Sequence, residues 1–218
     1  MNYDSVPLRD FKELNDWETV IFVYQSALKQ VETKIDILNG EFQHRHKYNP
    51  IEHVKSRIKT PESIEKKLKR HGYESSIENM VRYVNDIAGI RISCSFTSDI
   101  YLIADMISKQ NDLTILARRD YMKNPKKSGY RSYHMLVTTP VFLSDSIIDT
   151  KVEIQIRTVA QDFWATLEHK MHYKFEGDGP DYITKELREC ARYVAELDTR
   201  MEELNNEIQK YGKLSDKK

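Results

Sequence analysis

The feature that most constrains this chain is a change in the period of its apolar residues, from about 3.6 to 2 and back. From Asn15 onward, Trp17, Val20, Tyr24, Leu28, Val31, Ile35 and Leu38 recur at steps of three and four, which is one face of an α-helix. Asn15 or Asp16 supplies the cap and Gly40 the expected stop. Between Ile87 and Phe96 the pattern becomes alternation, with Ile90, Ile92, Cys94 and Phe96 separated by Arg91, Ser93 and Ser95. That is the signature of a strand with one buried face. Leu113–Tyr121, Tyr133–Thr139 and Lys151–Arg157 read as further strands, the last two a hairpin across Pro140–Asp149. Shorter helices are expected from Pro61 to about His71, over Ile77–Val84 and Asp99–Gln110, and from Thr158 to Phe175. From Tyr182 to about Lys210, Ile183, Leu187, Cys190, Val194, Leu197, Met201, Leu204 and Ile208 keep steps of four and three, the seam of a coiled coil. Helices on either side of a mixed central sheet of four or five strands place the chain in the α+β class. Residues 1–48 form an N-terminal helical region, 49–175 the central domain and 176–218 a C-terminal helical region. The C-terminal seam packs either on the first helix or between subunits.

With 39% hydrophobic residues in 218, the chain can bury a real core. Lysine plus arginine equals aspartate plus glutamate at 34 each, which argues against a general nucleic-acid or DNA binder, since those carry a basic excess. No apolar run is long enough to span a membrane, and Met1–Asp10 lacks the apolar stretch of a signal peptide. Cys94 and Cys190 are too few and too far apart for a disulfide scaffold. A cytoplasmic protein is expected. Neutrality hides two basic stretches, Lys55–Arg70 and Arg118–Arg131. Each alone reads as a solvated face, but the two converging on one cleft would hold a polyanion.

Two acids stand where chemistry could use them. Asp86 precedes the strand that begins at Ile87, and Glu153 lies inside Val152–Arg157 with Gln155 and Arg157 on the same face. Brought together, Asp86 and Glu153 suit a hard divalent cation, Mg2+ above all, which takes oxygen ligands and leaves room for phosphate. Arg57, Lys59, Arg91 and Arg131 could neutralise that phosphate. The loop Lys126–His134 sets Tyr130 among basic residues, after a Gly129 that permits a tight turn, so the ring could stack on a purine. His44 with His46, and His169 with His172, could be drawn as metal pairs but lack a third ligand at a recognisable spacing.

Read together, Arg57-Ile58-Lys59 with Ser63, Asp86 through Arg91, Lys126 through His134, Glu153 through Thr158 and Phe163 through His169 occur in the order of the RelA/SpoT-type synthetase domain. From about Asn49 onward the chain resembles the small alarmone synthetases, their RelP type more than their RelQ type. The resemblance implies a nucleotidyltransferase-like fold that moves the β,γ-pyrophosphate of ATP to the 3′-hydroxyl of GTP or GDP, giving pppGpp or ppGpp and AMP. It implies that Arg57 and Arg91 sandwich adenine, and that Lys59, Ser63 and Lys67 hold the ATP phosphates. Asp86 and Glu153 bind magnesium, Glu153 also taking the proton from the attacking hydroxyl. Tyr130 stacks on guanine, while Lys126, His134 and Gln155 line the acceptor. Asp162, where RelQ-type relatives have Asn, is the candidate for the guanine edge, against a reading as helix N-terminal charge. A homotetramer through the helical regions is implied as well. Only some fifty residues precede the domain and they hold no His-Asp dyad, so synthesis without hydrolysis is expected. Ser128 replaces an Asn of the large relatives. His53 and Lys55 replace Phe and Thr of the RelQ type, which argues against activation by product. The alternatives are a regulatory protein binding nucleotide or single-stranded RNA with little turnover, and an oligomerisation scaffold.

Overall fold

The computed structural model describes residues 16–46, 48–174 and 181–215. Helix α1 (Trp17–His46) opens at Asp16, whose Oδ1 accepts from the Thr19 amide at 2.7 Å; Asn15, the other cap candidate, lies outside the described residues. Gly40 does not stop this helix, contrary to the sequence expectation. A lone helical glycine costs about 1 kcal/mol, and six further residues continue the helix to a basic last turn, His44, Arg45 and His46, which favours a C-terminus. The His44–His46 pair is therefore exposed helix surface.

Five strands follow: β1 (Ile51–Ile58), β2 (Ala88–Cys94), β3 (Thr114–Asp120), β4 (Tyr133–Phe142) and β5 (Ile147–Thr158). Their order is β1-β2-β5-β4-β3, with β2 and β5 parallel and every other pair antiparallel, the mixed sheet expected. The strand that the sequence pattern does not reveal is β1. Most of its side chains are exposed, so it has no apolar alternation, and its charges suit an edge. The hairpin is tighter than expected, for Pro140 pairs with Asp149 inside it. Proline is tolerated there because β3 ends its pairing at Thr138, leaving that side of β4 with no paired strand among the described residues.

Helices α2 (Pro61–Arg70), α3 (Ile77–Tyr83) and α4 (Thr97–Ser108) join the strands, and α5 (Val159–Lys174) and α6 (Asp181–Ser215) close the chain. Thr60 caps α2, whose end turns at Gly72 with φ +77°. Ile90, Ile92, Val152, Ile154 and Ile156 share one core with Val20, Tyr24, Val31 and Ile35 of α1. The alternate residues Arg91, Glu153, Gln155 and Arg157 therefore form the opposite face. α6 packs on α5 and α4. It turns Ala191 and Asp198 inward, while Leu197, Met201, Leu204 and Ile208 of its seam are 40 to 68% exposed. Among the described residues no helix is long and apolar enough to cross a membrane.

Candidate active site

The polar face is built row by row across the sheet. Arg57 on β1, Gly89 on β2 and Glu153 on β5 lie in one register row, and Lys55, Arg91, Gln155 and His134 in the next. Gly89 keeps the first row open, since a Cβ there would meet nothing within 4 Å. Above it is a cavity of about 220 Å³ lined by Lys55, Arg57, Asp86, Arg91, Glu153 and Gln155, among others.

Asp86 enters this cavity from the turn before β2. Lys59 donates to its Oδ2 and Lys67 to its Oδ1, each at 2.7 Å. Burial opposes ionisation of Asp86, but these two ammonium groups outweigh it and hold the carboxyl at about 2. Lys59 arrives from the end of β1 and Lys67 from α2, so the ion pairs tie helix to sheet. Ser63 sits one turn before Lys67, exposed, its amide and hydroxyl tied to the Thr60 cap; no hydrogen bond joins it to Asp86.

Glu153 is held from two sides. Gln155 Nε2 donates to its Oε2 at 2.9 Å, and His134 Nδ1 stands 3.5 Å from Oε1. Burial would raise its pKa, yet His134 and Gln155 together leave it below the usual range, against the charge of nearby Asp86. His134 in turn meets the Tyr130 hydroxyl through Nε2 at 2.9 Å. Lys126 places its ammonium 4.7 Å from the Tyr130 ring centroid. Tyr130, His134, Glu153 and Gln155 are thus one connected set, and Lys126 covers it.

Asp162, in the first turn of α5, is bracketed by guanidinium groups. Its Oδ1 is 3.2 Å from Arg157 Nε and 3.6 Å from Arg91 Nη1. Arg157 also lies 5.8 Å from the Tyr130 ring centroid, so it links Asp162 to the loop. Alternation places Arg157 on the polar face, but nothing in the sequence marks it as 1% exposed. Lys151 carries no signal in the sequence either: it is buried, pushed down to about 8 by that burial, and donates to Asn85 Oδ1 at 2.7 Å. Arg131 departs from expectation. It donates to the Met122 carbonyl at 2.6 Å and lines a different cavity, so the second basic stretch reaches this cluster through Lys126.

Two carboxylates of one cavity, ringed by cations, fit a hard dication that takes its remaining ligands from water and phosphate. Among the described residues no cluster of three or more His, Cys, Asp or Glu residues forms a closed metal cage; the His172 side chain lies outside them.

A family model described as the region found in RelA / SpoT proteins matches residues 56–178. GTP pyrophosphokinase YwaC of Bacillus subtilis (strain 168) is 44% identical over 195 residues, 89% of this chain and 93% of its own. The crystal structure of small alarmone synthetase 2 from Bacillus subtilis superposes with TM-score 0.80 at 43% identity, over 88% of this chain and 100% of that one. Small alarmone synthetase 1 from the same organism, bound to its product pppGpp, gives TM-score 0.83 at 34% identity over 88% and 98%. The same synthetase 1 bound to AMPCPP gives 0.75 at 31% over 89% and 98%.

Proposed function

Because the chain belongs to the RelA/SpoT family, as a small alarmone synthetase, we propose that its own polar face carries out the synthesis of (p)ppGpp. The reaction is that of a GTP pyrophosphokinase: the β,γ-pyrophosphate of ATP passes to the 3′-hydroxyl of GTP or GDP, leaving AMP. The observation that carries this reading is Asp86 and Glu153 in one cavity with Arg57 and Arg91.

Arg57 and Arg91, on adjacent strands, offer two planar cations for the faces of adenine. Lys59 and Lys67 exchange Asp86 for the ATP phosphates, each a mobile point charge able to follow the transferring group, and Ser63 adds a hydroxyl from the same helix. Asp86 and Glu153 would hold Mg2+, which when bound neutralises charge on the pyrophosphate. Glu153, ionised at neutral pH, takes the proton from the attacking 3′-hydroxyl, and Gln155 holds the carboxylate in place. On the acceptor side Tyr130 stacks on guanine, Lys126 and His134 meet its phosphates and ribose, and Asp162 accepts from the guanine edge. Catalysis of this kind is positioning and charge neutralisation.

The exposed seam of α6 is the surface through which copies assemble, as a homotetramer, with residues 49–175 as the catalytic unit. Nucleotide substrates and two unbridged cysteines, Cys94 and Cys190, suit the cytoplasm. A binding protein with little turnover would have no use for two metal-binding acids. Incubation of the full chain with ATP, GDP and Mg2+ should yield AMP and ppGpp, and Glu153→Gln should lower turnover by about 10²–10⁴. Unchanged nucleotide across pH and metal would end the synthetase reading; a variant keeping more than about a tenth of turnover would place the base elsewhere.

A further inference from the structure

The loop that carries Tyr130 is seated on α6, most tightly at Ala191. Its turn is closed by the Gly129 amide on the Lys126 carbonyl at 2.8 Å and by the Lys126 amide on the Tyr130 carbonyl at 3.1 Å. Gly129 has φ +93°, in the left-handed region. A Cβ added there would lie 2.5 Å from the Ala191 Cβ on α6, inside any real contact distance. Ala191 is 2% exposed and forms a small second core with Trp164 and Ala165 of α5, against which Tyr130 and Val194 pack. α6 is itself fastened to α5 and the end of β5 on either side of this contact. Trp164 Nε1 donates to the Leu187 carbonyl at 2.9 Å, and Thr158 and Gln161 donate to Asp198 at 2.8 and 3.0 Å. Beyond Gly129 the loop and helix part around a cavity of about 520 Å³ lined in part by Lys127, Arg131, Arg188 and Arg192.

We propose that Ala191 is a positioning residue for the acceptor nucleotide: its small side chain lets the Gly129 turn close on α6 and so sets where the Tyr130 ring stands. The inference rests on the reading that the acceptor guanine stacks on Tyr130. Ala191 touches no substrate. It acts through Gly129 and the second core, and it makes the C-terminal helix part of the acceptor site while leaving the adenine side, built on β1 and β2, untouched.

The test uses the full chain and compares the two substrates. Ala191→Leu forces the turn outward, and the KM for GDP should rise at least about tenfold while that for ATP stays within about twofold, a split that general destabilisation would not produce. Gly129→Ala should act in the same direction. The double variant Gly129→Ala with Ala191→Gly should lie at least about threefold closer to wild type than Gly129→Ala alone, because the atom that the new Cβ meets is gone. This pair carries the test if Ala191→Leu does not fold. An unchanged KM for GDP in Ala191→Leu, equal losses for ATP and GDP, or a double variant no better than Gly129→Ala would overturn the proposal. Calorimetric binding of GDP to wild type and Ala191→Leu tests the same point without turnover: weaker binding to the variant supports the proposal, and equal binding overturns it, even if the chain made no product.

Discussion

Replacing Asp86 by Asn keeps the shape of the side chain and removes the charge that Lys59 and Lys67 share. The three side chains are 16 to 26% exposed, so solvent screens the pairs only in part. The carboxyl falls from 3.8 to about 2 on folding, and at about 1.4 kcal/mol per pKa unit this contributes about 2 kcal/mol at pH 7. A depressed carboxyl pKa gives stability that is present above 3.8 and lost as pH falls through about 2, so about half should remain at pH 3. Urea unfolding of wild type and Asp86→Asn at pH 7 and pH 3 should therefore show a gap of about 2 kcal/mol that closes toward about 1. If Asp86 holds the metal as proposed, turnover should fall by about two orders of magnitude or more. The same gap at both pH values would show that the lysines are not what holds Asp86 ionised. A more stable Asn variant would show that desolvation of the three charges outweighs their attraction.

Removing His134 as His134→Phe should weaken the opposition to Glu153's burial and move the acid limb of the kcat/KM profile up; an unmoved limb would separate His134 from the base. Tyr130→Ala should raise the KM for GDP by roughly tenfold or more, the worth of a lost base stack. Tyr130→Phe should cost about threefold, because its hydroxyl meets His134; equal losses in the two would deny the stack. Leu197→Lys with Leu204→Lys should give smaller species in light scattering, since these two apolar side chains are 54% and 40% exposed; an unchanged mass would place the interface elsewhere.

The sequence made most of the fold legible where burial alternates. β2 and β5 have one apolar face each, and their other face carries the site. β1 escaped because its polar side chains follow no period, although it brings Arg57 to the site and leads directly to Lys59. Gly40 misled because one unfavourable residue cannot end a helix whose apolar face already lies on a sheet. The candidate residues were legible as motifs, but their partners were not. Nothing in the spacing of Asp86, Lys59 and Lys67 says that one carboxylate serves two ammonium groups, and nothing near Arg131 says that it turns to the Met122 carbonyl. Such choices are made by the tertiary approach of segments 9 to 27 residues apart.

The charges of the site explain how a neutral chain can hold a polyphosphate reaction. Arg57, Arg91, Arg157, Lys59, Lys67 and Lys126 gather around Asp86, Glu153 and Asp162, a local excess of cations inside a protein whose total is zero. Such an excess needs counter-ions, and two of the acids serve in that way: Asp86 lies between two lysines and Asp162 between two arginines. The two differ in what can replace them. Lys59 and Lys67 sit on flexible stems that can turn, so under the proposed function donor phosphates would draw them off and free Asp86. Arg157 is buried beside Tyr130 and cannot follow a ligand, so Asp162 must keep one oxygen near it. Under the proposed function, Asp162 would therefore meet a guanine edge with a carboxylate already shared between two guanidinium groups. It holds Arg157 in place, and Asp162→Asn, which removes the charge, should loosen Arg157 and Tyr130 and so raise the KM for GDP and for inosine diphosphate alike.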